Sequence, residues 1–253
     1  MNNKILKDII ILESIDSTNN YAIEILKRKK LNEGTVIISH EQTKGKGQMG
    51  NYWESEPGKN LTFSMILYPD FLLAEKQFLI TKVVSLALTD FLENHLTDIT
   101  IKWPNDIYYK DFKIAGILIE NAILNIKLKY SVVGIGININ QMSFLSDLPN
   151  AISLSKITQK EYDLHELLIE LKKHLNNRYT QMKESKKGKI NNDYTSKLYR
   201  FETLSEFYSK GVTFKGIIRG TDETGKLRVE LENGEIKSFD FKEIEFINDN
   251  IAG

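Results

Sequence analysis

The sequence predicts an α+β fold in which a mixed or antiparallel sheet is flanked by helices and followed by a small C-terminal β-barrel. Strand-like runs lie close together between residues 99 and 139 with only tight turns between them, which favours antiparallel or mixed pairing. After about residue 205 the chain changes to short strand-like runs, and Asn233-Gly234 between two of them is a strong hairpin signal. We therefore expect a larger domain over residues 1–205 and a smaller one over residues 206–253.

The helices and strands of this fold follow from apolar periodicity and from capping and turn residues. A first helix is expected over residues 21–26, because residues 16–19 before it are all of helix-capping type. Residues 72–95 carry apolar side chains at helical spacing without Gly or Pro, which predicts the longest helix, and residues 164–179 predict another. Apolar and β-branched runs predict strands at residues 9–12, 35–39, 61–68, 99–103, 107–109, 114–121, 127–139, 211–219, 226–231 and 236–241.

Length and composition restrict the class of protein. The 253 residues suffice for one large core and a small second domain. Lys+Arg and Asp+Glu both number 34, so the chain lacks the basic excess of proteins that hold nucleic acid through its phosphates. The absence of cysteine excludes disulfides, thiolate metal sites and a cysteine nucleophile. No segment has the roughly 18 apolar residues needed to cross a bilayer, and no signal peptide is evident. We expect a cytoplasmic protein without nucleic-acid or membrane partners.

Residues 42–53 form the first segment that suggests chemistry. Gly45, Gly47 and Gly50 let the backbone turn tightly and bring N–H groups near an anion, while Lys44 and Lys46 supply positive charge. The glycines fit the dinucleotide fingerprint G-x-G-x-x-G, but the residues that follow cannot open the helix that this fingerprint needs. A Walker A loop is excluded, because no Gly-Lys-Ser/Thr sequence ends the motif. Taken alone, the segment fits either an anion-binding loop or a surface loop without function.

Four further segments carry polar residues or glycines that could serve a ligand. Residues 102–106, Lys-Trp-Pro-Asn-Asp, end a strand with a proline, an amide and a carboxylate. Residues 113–120 place a lysine at the mouth of an apolar strand, and residues 133–140 carry two glycines that weaken a strand unless something approaches its backbone. Residues 16–19 place hydroxyls and an amide at a helix start. Core packing, turns, a solvent-facing lysine and simple helix capping remain the alternatives for these segments.

Together and in this order, the five segments resemble the catalytic domain of the biotin protein ligases, or biotin–[acetyl-CoA-carboxylase] ligases. The similarity runs from about residue 11 to residue 140, with a weaker match through the C-terminal module. It implies a class II synthetase-like catalytic domain that binds biotin and ATP, followed by an SH3-like barrel. It also implies ATP-dependent activation of biotin as biotinyl-5′-AMP with Mg²⁺. The biotin would then pass to a lysine of the biotin carboxyl carrier domain of acetyl-CoA carboxylase or a related carboxylase.

The resemblance assigns roles to individual residues. Lys113 and Lys46 would offset phosphate charge during adenylation, and Asp106 would orient or deprotonate the acceptor lysine. The expected biotin contacts are Ser17, Thr18, Asn19, Gln42, Gly45, Lys46, Gly47, Gln48, Lys113, Gly116, Gly134 and Gly136. The expected ATP contacts are Lys46, Met49, Gly50, Trp53, Lys102, Asn105, Lys113 and Asn138. No side chain is assigned to direct coordination of the metal.

The sequence differs from the common family pattern in the 42–53 loop and at its N-terminal end. Many family members carry arginines where this chain has Lys46, Gln48, Met49 and Asn51. Lysine lacks the bidentate fork of arginine, and glutamine and methionine carry no charge, so we expect a weaker hold on the adenylate. Some members also carry an N-terminal DNA-binding domain; few residues precede the first predicted strand here, so we expect no repressor role. The sequence leaves open a monomer or a homodimer. A lipoate or octanoate–protein ligase of related fold is the main alternative, and a non-catalytic biotin- or nucleotide-binding protein is the second.

Overall fold

The computed structural model describes residues 8–145 and 150–247, without the side chain of Met49. The strands of its larger sheet are β1 (Ile9–Ile15), β2 (Val36–Gln42), β3 (Leu61–Leu67), β4 (Ile99–Lys102), β5 (Asp106–Tyr109), β6 (Phe112–Leu124) and β7 (Lys127–Ile137). They lie in the order β1-β2-β3-β7-β6-β5-β4. β1 and β2 pair in parallel, and every other neighbouring pair in this sheet is antiparallel. The predicted mixed sheet is therefore confirmed.

Helices cover both faces of this sheet. Successive residues of a strand point to opposite faces, so neighbouring buried residues report two different layers. On β3, Ile66 packs with Ala22 of α1 (Thr18–Arg28), whereas Met65 belongs to the larger core around α2 (Phe78–Leu92). The remaining helices are α3 (Leu154–Thr158), α4 (Leu164–Lys183), which packs along α2, and α5 (Lys187–Ser196).

α2 is shorter than the helix predicted over residues 72–95. The backbone of Leu72 accepts from Leu128, and Ala74 donates to Ile126, so this stretch pairs with the β6–β7 hairpin. A 3-10 turn at Ala74–Lys76 then leads into α2. All residues of α2 except Thr81 and Asp90 are buried, so apolar periodicity located the helix. The residues before it are also partly apolar, so the same pattern did not show where the helix begins.

The C-terminal residues form a second, five-stranded sheet. Its strands are β8 (Leu204–Ser209), β9 (Val212–Thr221), β10 (Leu227–Leu231), β11 (Ile236–Phe239) and β12 (Glu245–Phe246). They pair antiparallel in the order β11-β10-β9-β8-β12, which is consistent with an SH3-like barrel. The sequence patterns missed β8, half of whose residues are polar, and β12, which has only two residues. A domain boundary near residue 205 stays a prediction.

The turn between β9 and β10 ties this second sheet to the first core. Trp103 donates its indole N–H to the carbonyl of Gly225 at 2.8 Å. Gly225 has a φ of +101°, and a Cβ there would lie 2.3 Å from Cγ of Phe78 on α2. Only glycine fits this close contact between the turn and the helix. Among the helices of the described residues, none combines the length and the apolar character needed to cross a membrane.

Candidate active site

A cavity of about 490 Å³ brings together most of the residues that the sequence singled out. The expected residues along its walls are Ser17, Thr18, Asn19, Gln42, Lys46, Gly47, Gln48, Trp53, Asn105, Asp106, Lys113, Gly116, Gly134 and Gly136. The start of α1, the 42–53 loop, the turn before β5, and strands β5, β6 and β7 supply them. Residues 241–246 of the C-terminal module complete the wall, with the exception of Glu243.

Four expected contacts with described side chains or backbone lie outside the cavity lining. Lys102 places its amine over the rings of Tyr108 at 4.8 Å, Phe246 at 5.3 Å and Tyr199 at 5.9 Å, and burial lowers its pKa. Asn138 is buried and donates to the carbonyl of Ile152. The other two residues, both in the loop, are Gly45 and Gly50. The side chain of Met49, an expected ATP contact, lies outside the described part of the structure.

The 42–53 loop is folded as a hairpin on itself. Trp53 N–H donates to Gly45 O at 3.0 Å, and Gly47 N–H donates to Asn51 O at 2.7 Å. A Cβ at Gly45 would lie 2.4 Å from the carbonyl oxygen of Trp53, and Gly50 has a φ of +85°. These glycines therefore shape the loop. Because several of its N–H groups are already bonded, the expected backbone cradle for an anion is only partly available.

Lys46, the lysine within this hairpin, is held at the start of α1. Its amine donates to Asn20 Oδ1 at 2.5 Å, and Asn20 Nδ2 donates to Asp16 Oδ2 at the same distance. The hydrogen bond from Asn20, together with the nearby positive charge of Lys46, lowers the pKa of the Asp16 carboxyl. Lys46 thus borders the cavity, but its amine is hydrogen-bonded to Asn20 of α1. No local sequence pattern indicated Asn20 as the partner of Lys46.

A polar cluster lies next to α1, and its members Thr18, Asn19 and Gln42 line the cavity. Gln42 Oε1 accepts from Thr18 N–H at 2.8 Å and lies 3.1 Å from Thr18 Oγ1. Ser64 Oγ lies 2.7 Å from Thr18 Oγ1 and 2.5 Å from Asn19 Oδ1, and Asn19 Nδ2 donates to Glu120 Oε2 at 2.8 Å. Sequence reasoning missed Ser64, although a serine between the apolar residues Phe63 and Met65 of β3 was a usable signal.

A charged pair lies farther along the strands. Lys113 Nζ on β6 is 2.8 Å from Asp106 Oδ1 on β5, with the two side chains 31% and 22% exposed. The same amine lies 5.7 Å from the centre of the Trp53 indole. The pair is thus partly shielded from water, which strengthens its electrostatic effect on a bound ligand.

Three glycines of β6 and β7 make room for side chains that cross the strands. A Cβ at Gly136 would lie 2.3 Å from Cε2 of Trp53, and one at Gly116 would lie 3.0 Å from its Cζ3. A Cβ at Gly134 would lie 2.5 Å from Asn19 Oδ1. The glycines were expected to let a ligand approach the strands. In this structure Trp53 and Asn19 occupy that space.

The register of β6 and β7 gives the distance between the two polar regions. Gly116 pairs with Gly136 beside Trp53, and Leu118 pairs with Gly134 beside Asn19. Two residues along a strand correspond to about 7 Å. The cavity therefore suits an elongated ligand with a hydrogen-bonding group at one end and an anionic group about one short alkyl chain away.

Comparison with known proteins agrees with this arrangement. The model of the biotin/lipoate A/B protein ligase family matches residues 11–138. The bifunctional ligase/repressor BirA of Bacillus spizizenii is 30% identical over 246 residues, covering 89% of this chain and 70% of that protein. The structure of a biotin protein ligase from Aquifex aeolicus in complex with biotin and ATP superposes with a TM-score of 0.80 at 28% identity. That match covers 96% of this chain and 100% of the Aquifex chain. The chain therefore belongs to the biotin/lipoate A/B protein ligase family.

Proposed function

We propose that this protein is an ATP-dependent biotin–protein ligase. It forms biotinyl-5′-AMP from biotin and ATP, and then transfers the biotinyl group to a lysine of a biotin carboxyl carrier domain. The observation that carries the proposal is the single cavity that joins the polar cluster around Thr18 and Asn19 to the Lys113–Asp106 pair. Relatives named as biotin ligases, one of them solved with biotin and ATP, support the same substrates.

The polar cluster favours biotin over lipoate or octanoate. Three close oxygen–oxygen contacts join Gln42, Thr18, Ser64 and Asn19, but only two hydroxyl protons are available to them. A ligand N–H would supply the missing proton, while the Gln42 amide nitrogen, which donates to no protein group within residues 8–145 and 150–247, suits a ligand carbonyl. The cyclic urea of biotin offers both groups. The dithiolane of lipoate offers neither and would leave buried polar groups unpaired.

In the first step, a carboxylate oxygen of biotin attacks the α-phosphorus of ATP. An O–P bond forms, the bond to the β-phosphate bridging oxygen breaks, and pyrophosphate leaves. Two anions must approach, and negative charge builds on the phosphoryl oxygens. Lys113 lies in the cavity to offset that charge, and Lys46 could leave Asn20 to join it. Losing one such donor typically raises the barrier by roughly 3 kcal/mol.

In the second step, the neutral amine of the carrier lysine attacks the biotinyl carbonyl. The amide C–N bond forms, the C–O bond to AMP breaks, and the amine gives up a proton. We assign Asp106 to orient the amine or accept its proton, since its carboxylate lies in the cavity beside Lys113. Trp53 and the loop over the cavity would exclude water from the mixed anhydride.

Mg²⁺ is expected to support the adenylation. It commonly binds one or two protein carboxylates together with substrate phosphates and water. The cavity offers the Asp106 and Glu245 carboxylates and the Asn105 amide. Within the described residues, no three His, Cys, Asp or Glu side chains are grouped to hold a metal ion. This donor set fits Mg²⁺ that enters with the nucleotide, where it would neutralise phosphate charge.

The remaining expectations stay predictions. We assign adenylation to residues 1–205, with residues 206–253 closing the cavity. The nucleotide or the carrier domain would then contact Phe241, Lys242 and Glu245, which border it. A cytoplasmic location, a carrier domain from acetyl-CoA carboxylase or a related carboxylase, and a monomeric or homodimeric state are carried forward in the same way.

Pyrophosphate release tests the proposed activity. The protein is incubated with ATP, Mg²⁺ and either biotin, lipoate or octanoate, and transfer is followed on an apo carrier domain. Of the three acids, we expect only biotin to cause pyrophosphate release. Lys113→Ala should lower the rate of that release by about 10²–10³. Lys110→Ala, at an exposed lysine in the neighbouring turn, is the matched control and should retain the rate. Release that depends on lipoate or octanoate, or on no acid at all, would refute the proposal.

A further inference from the structure

We propose that Glu120 is a positioning residue that fixes the orientation of the Asn19 side-chain amide and thereby the polarity of the ligand-binding polar cluster. Glu120 lies on β6 and Asn19 on α1, so the contact links the helix to the sheet. The inference rests on the proposed function, because it concerns the part of the cavity assigned to the biotin urea.

The surroundings of Asn19 permit only one orientation of its amide. The side chain is 3% exposed, and Nδ2 lies 2.8 Å from Glu120 Oε2 and 3.3 Å from Leu118 O. A carboxylate and a backbone carbonyl only accept hydrogen bonds, so the amide nitrogen must face them. The amide oxygen then faces Ser64, whose Oγ lies 2.5 Å away.

Glu120 supplies the stronger of the two contacts that hold this orientation. A hydrogen bond to a charged acceptor is shorter and roughly twice as strong as one between neutral groups, and the Leu118 contact is neutral and longer. If the amide rotated by half a turn, Asn19 Oδ1 would face both acceptors and Nδ2 would face Ser64. Without Glu120, only the Leu118 carbonyl opposes that rotation.

The orientation of Asn19 determines what the cluster offers to a ligand. With Oδ1 toward Ser64, the buried hydroxyls lack one proton, and the cluster favours a ligand that brings an N–H group. With Nδ2 toward Ser64, the protein would supply that proton itself and compete with the ligand N–H. Because Gln42 is oriented separately by the Thr18 backbone N–H, Glu120 acts on the N–H-binding side of the cluster.

The variants Glu120→Met and Glu120→Gln test this role. Methionine keeps the length of the side chain but offers no strong acceptor, whereas glutamine can still present an oxygen to Asn19. We expect Glu120→Met to raise KM for biotin by at least about tenfold, with KM for ATP and kcat nearly unchanged. Glu120→Gln should stay within about threefold of the wild type. Glu13→Met, at an exposed carboxylate on β1, is the matched control.

Two further readouts separate positioning from a merely structural role. Desthiobiotin keeps the ureido ring without the thioether ring, so its KM should rise by the same factor as that of biotin. The thermal midpoint of Glu120→Met should remain within a few degrees of the wild type. If methionine at this position lowers the midpoint strongly, Glu120→Thr, which suits a strand and is too short to reach Asn19, replaces it.

The outcomes distinguish this inference from the proposed function. If the wild type shows no biotin-dependent pyrophosphate release, the proposed function fails. If the wild type turns over but Glu120→Met leaves KM for biotin unchanged, the positioning role is wrong. Equal increases in KM for biotin and ATP, or a glutamine variant as impaired as the methionine variant, would also overturn it.

Discussion

Lys82 on α2 provides a test of how this fold accommodates a buried charge. The side chain is 5% exposed, donates to Asn191 Oδ1 at 2.9 Å, and places its amine over the rings of Phe78 and Tyr194 at 5.7 and 5.4 Å. Burial lowers the pKa of its amine from 10.5 to about 8, although the negative charge of Asp222 opposes the change. Folding therefore disfavours the protonated form of Lys82.

The direction of this pKa change fixes the pH dependence. Because the pKa in the folded protein lies below that of the unfolded chain, the destabilisation is fully present below about pH 8. It declines as pH rises from about 8 toward 10.5, where both states lose the proton. The pKa difference corresponds to roughly 3.4 kcal/mol, at about 1.36 kcal/mol per pKa unit. This difference contains every interaction that favours one protonation state of the amine, including its contacts with the two rings.

Lys82→Met is therefore expected to raise the free energy of unfolding by roughly 3 kcal/mol at pH 7. Asn191 loses its partner but is exposed, so water replaces the amine. Urea unfolding followed by tryptophan fluorescence at pH 7, 8.5 and 10 measures the difference, which should shrink as pH rises. Lys189→Met, at an exposed lysine of α5, is the control. It shows the pH dependence of unfolding that arises from all the other titrating groups. A methionine variant less stable at pH 7, or a difference independent of pH, would refute the reasoning.

Two predictions concern the cavity itself. Gln48→Arg adds a charged donor to the loop and should slow dissociation of biotinyl-AMP by roughly tenfold, measured by displacement of labelled adenylate. Lys44→Arg, outside the cavity lining, should leave that rate unchanged, and equal rates for the Gln48 variant and wild type would contradict the prediction. Gly136→Ala places a Cβ 2.3 Å from the indole of Trp53, so biotin-dependent turnover should fall at least about tenfold while the melting temperature drops only a few degrees. Unaltered turnover would show that the indole moves freely.

The features that the sequence predicted are those encoded by local pattern. Apolar periodicity located α2 because almost every residue of that helix is buried, and turn residues located the hairpins. The segment 102–106 stood out because a proline, an amide and an acid end a strand there. Its Asp106 meets Lys113 because β5 and β6 pair antiparallel, a contact that an adjacent-strand prediction already contains.

The features that escaped prediction depend on distant parts of the chain. Residues 241, 242 and 244–246 border the cavity because the β9–β10 turn docks on Trp103 and Phe78. The position of Lys102 has the same origin, since one of the rings around its amine is Phe246. Neither contact leaves a trace in local periodicity. Both follow from packing between segments more than 120 residues apart, which sequence spacing cannot reveal.

The hairpin of the 42–53 loop changes the physical basis expected for holding the adenylate. Gly47, Asn51 and Trp53 donate or accept backbone hydrogen bonds within the loop, so the phosphate must depend more on side-chain charge than on loop N–H groups. Lys46 contributes such a charge, but only after its amine leaves Asn20, and Gln48 contributes none. The charge of Lys113 is already paired with the carboxylate of Asp106. Release of Asp106 from Lys113 would thus supply both a cation for the phosphate and a free carboxylate for the acceptor lysine. The same ion pair would then link the two steps of the reaction.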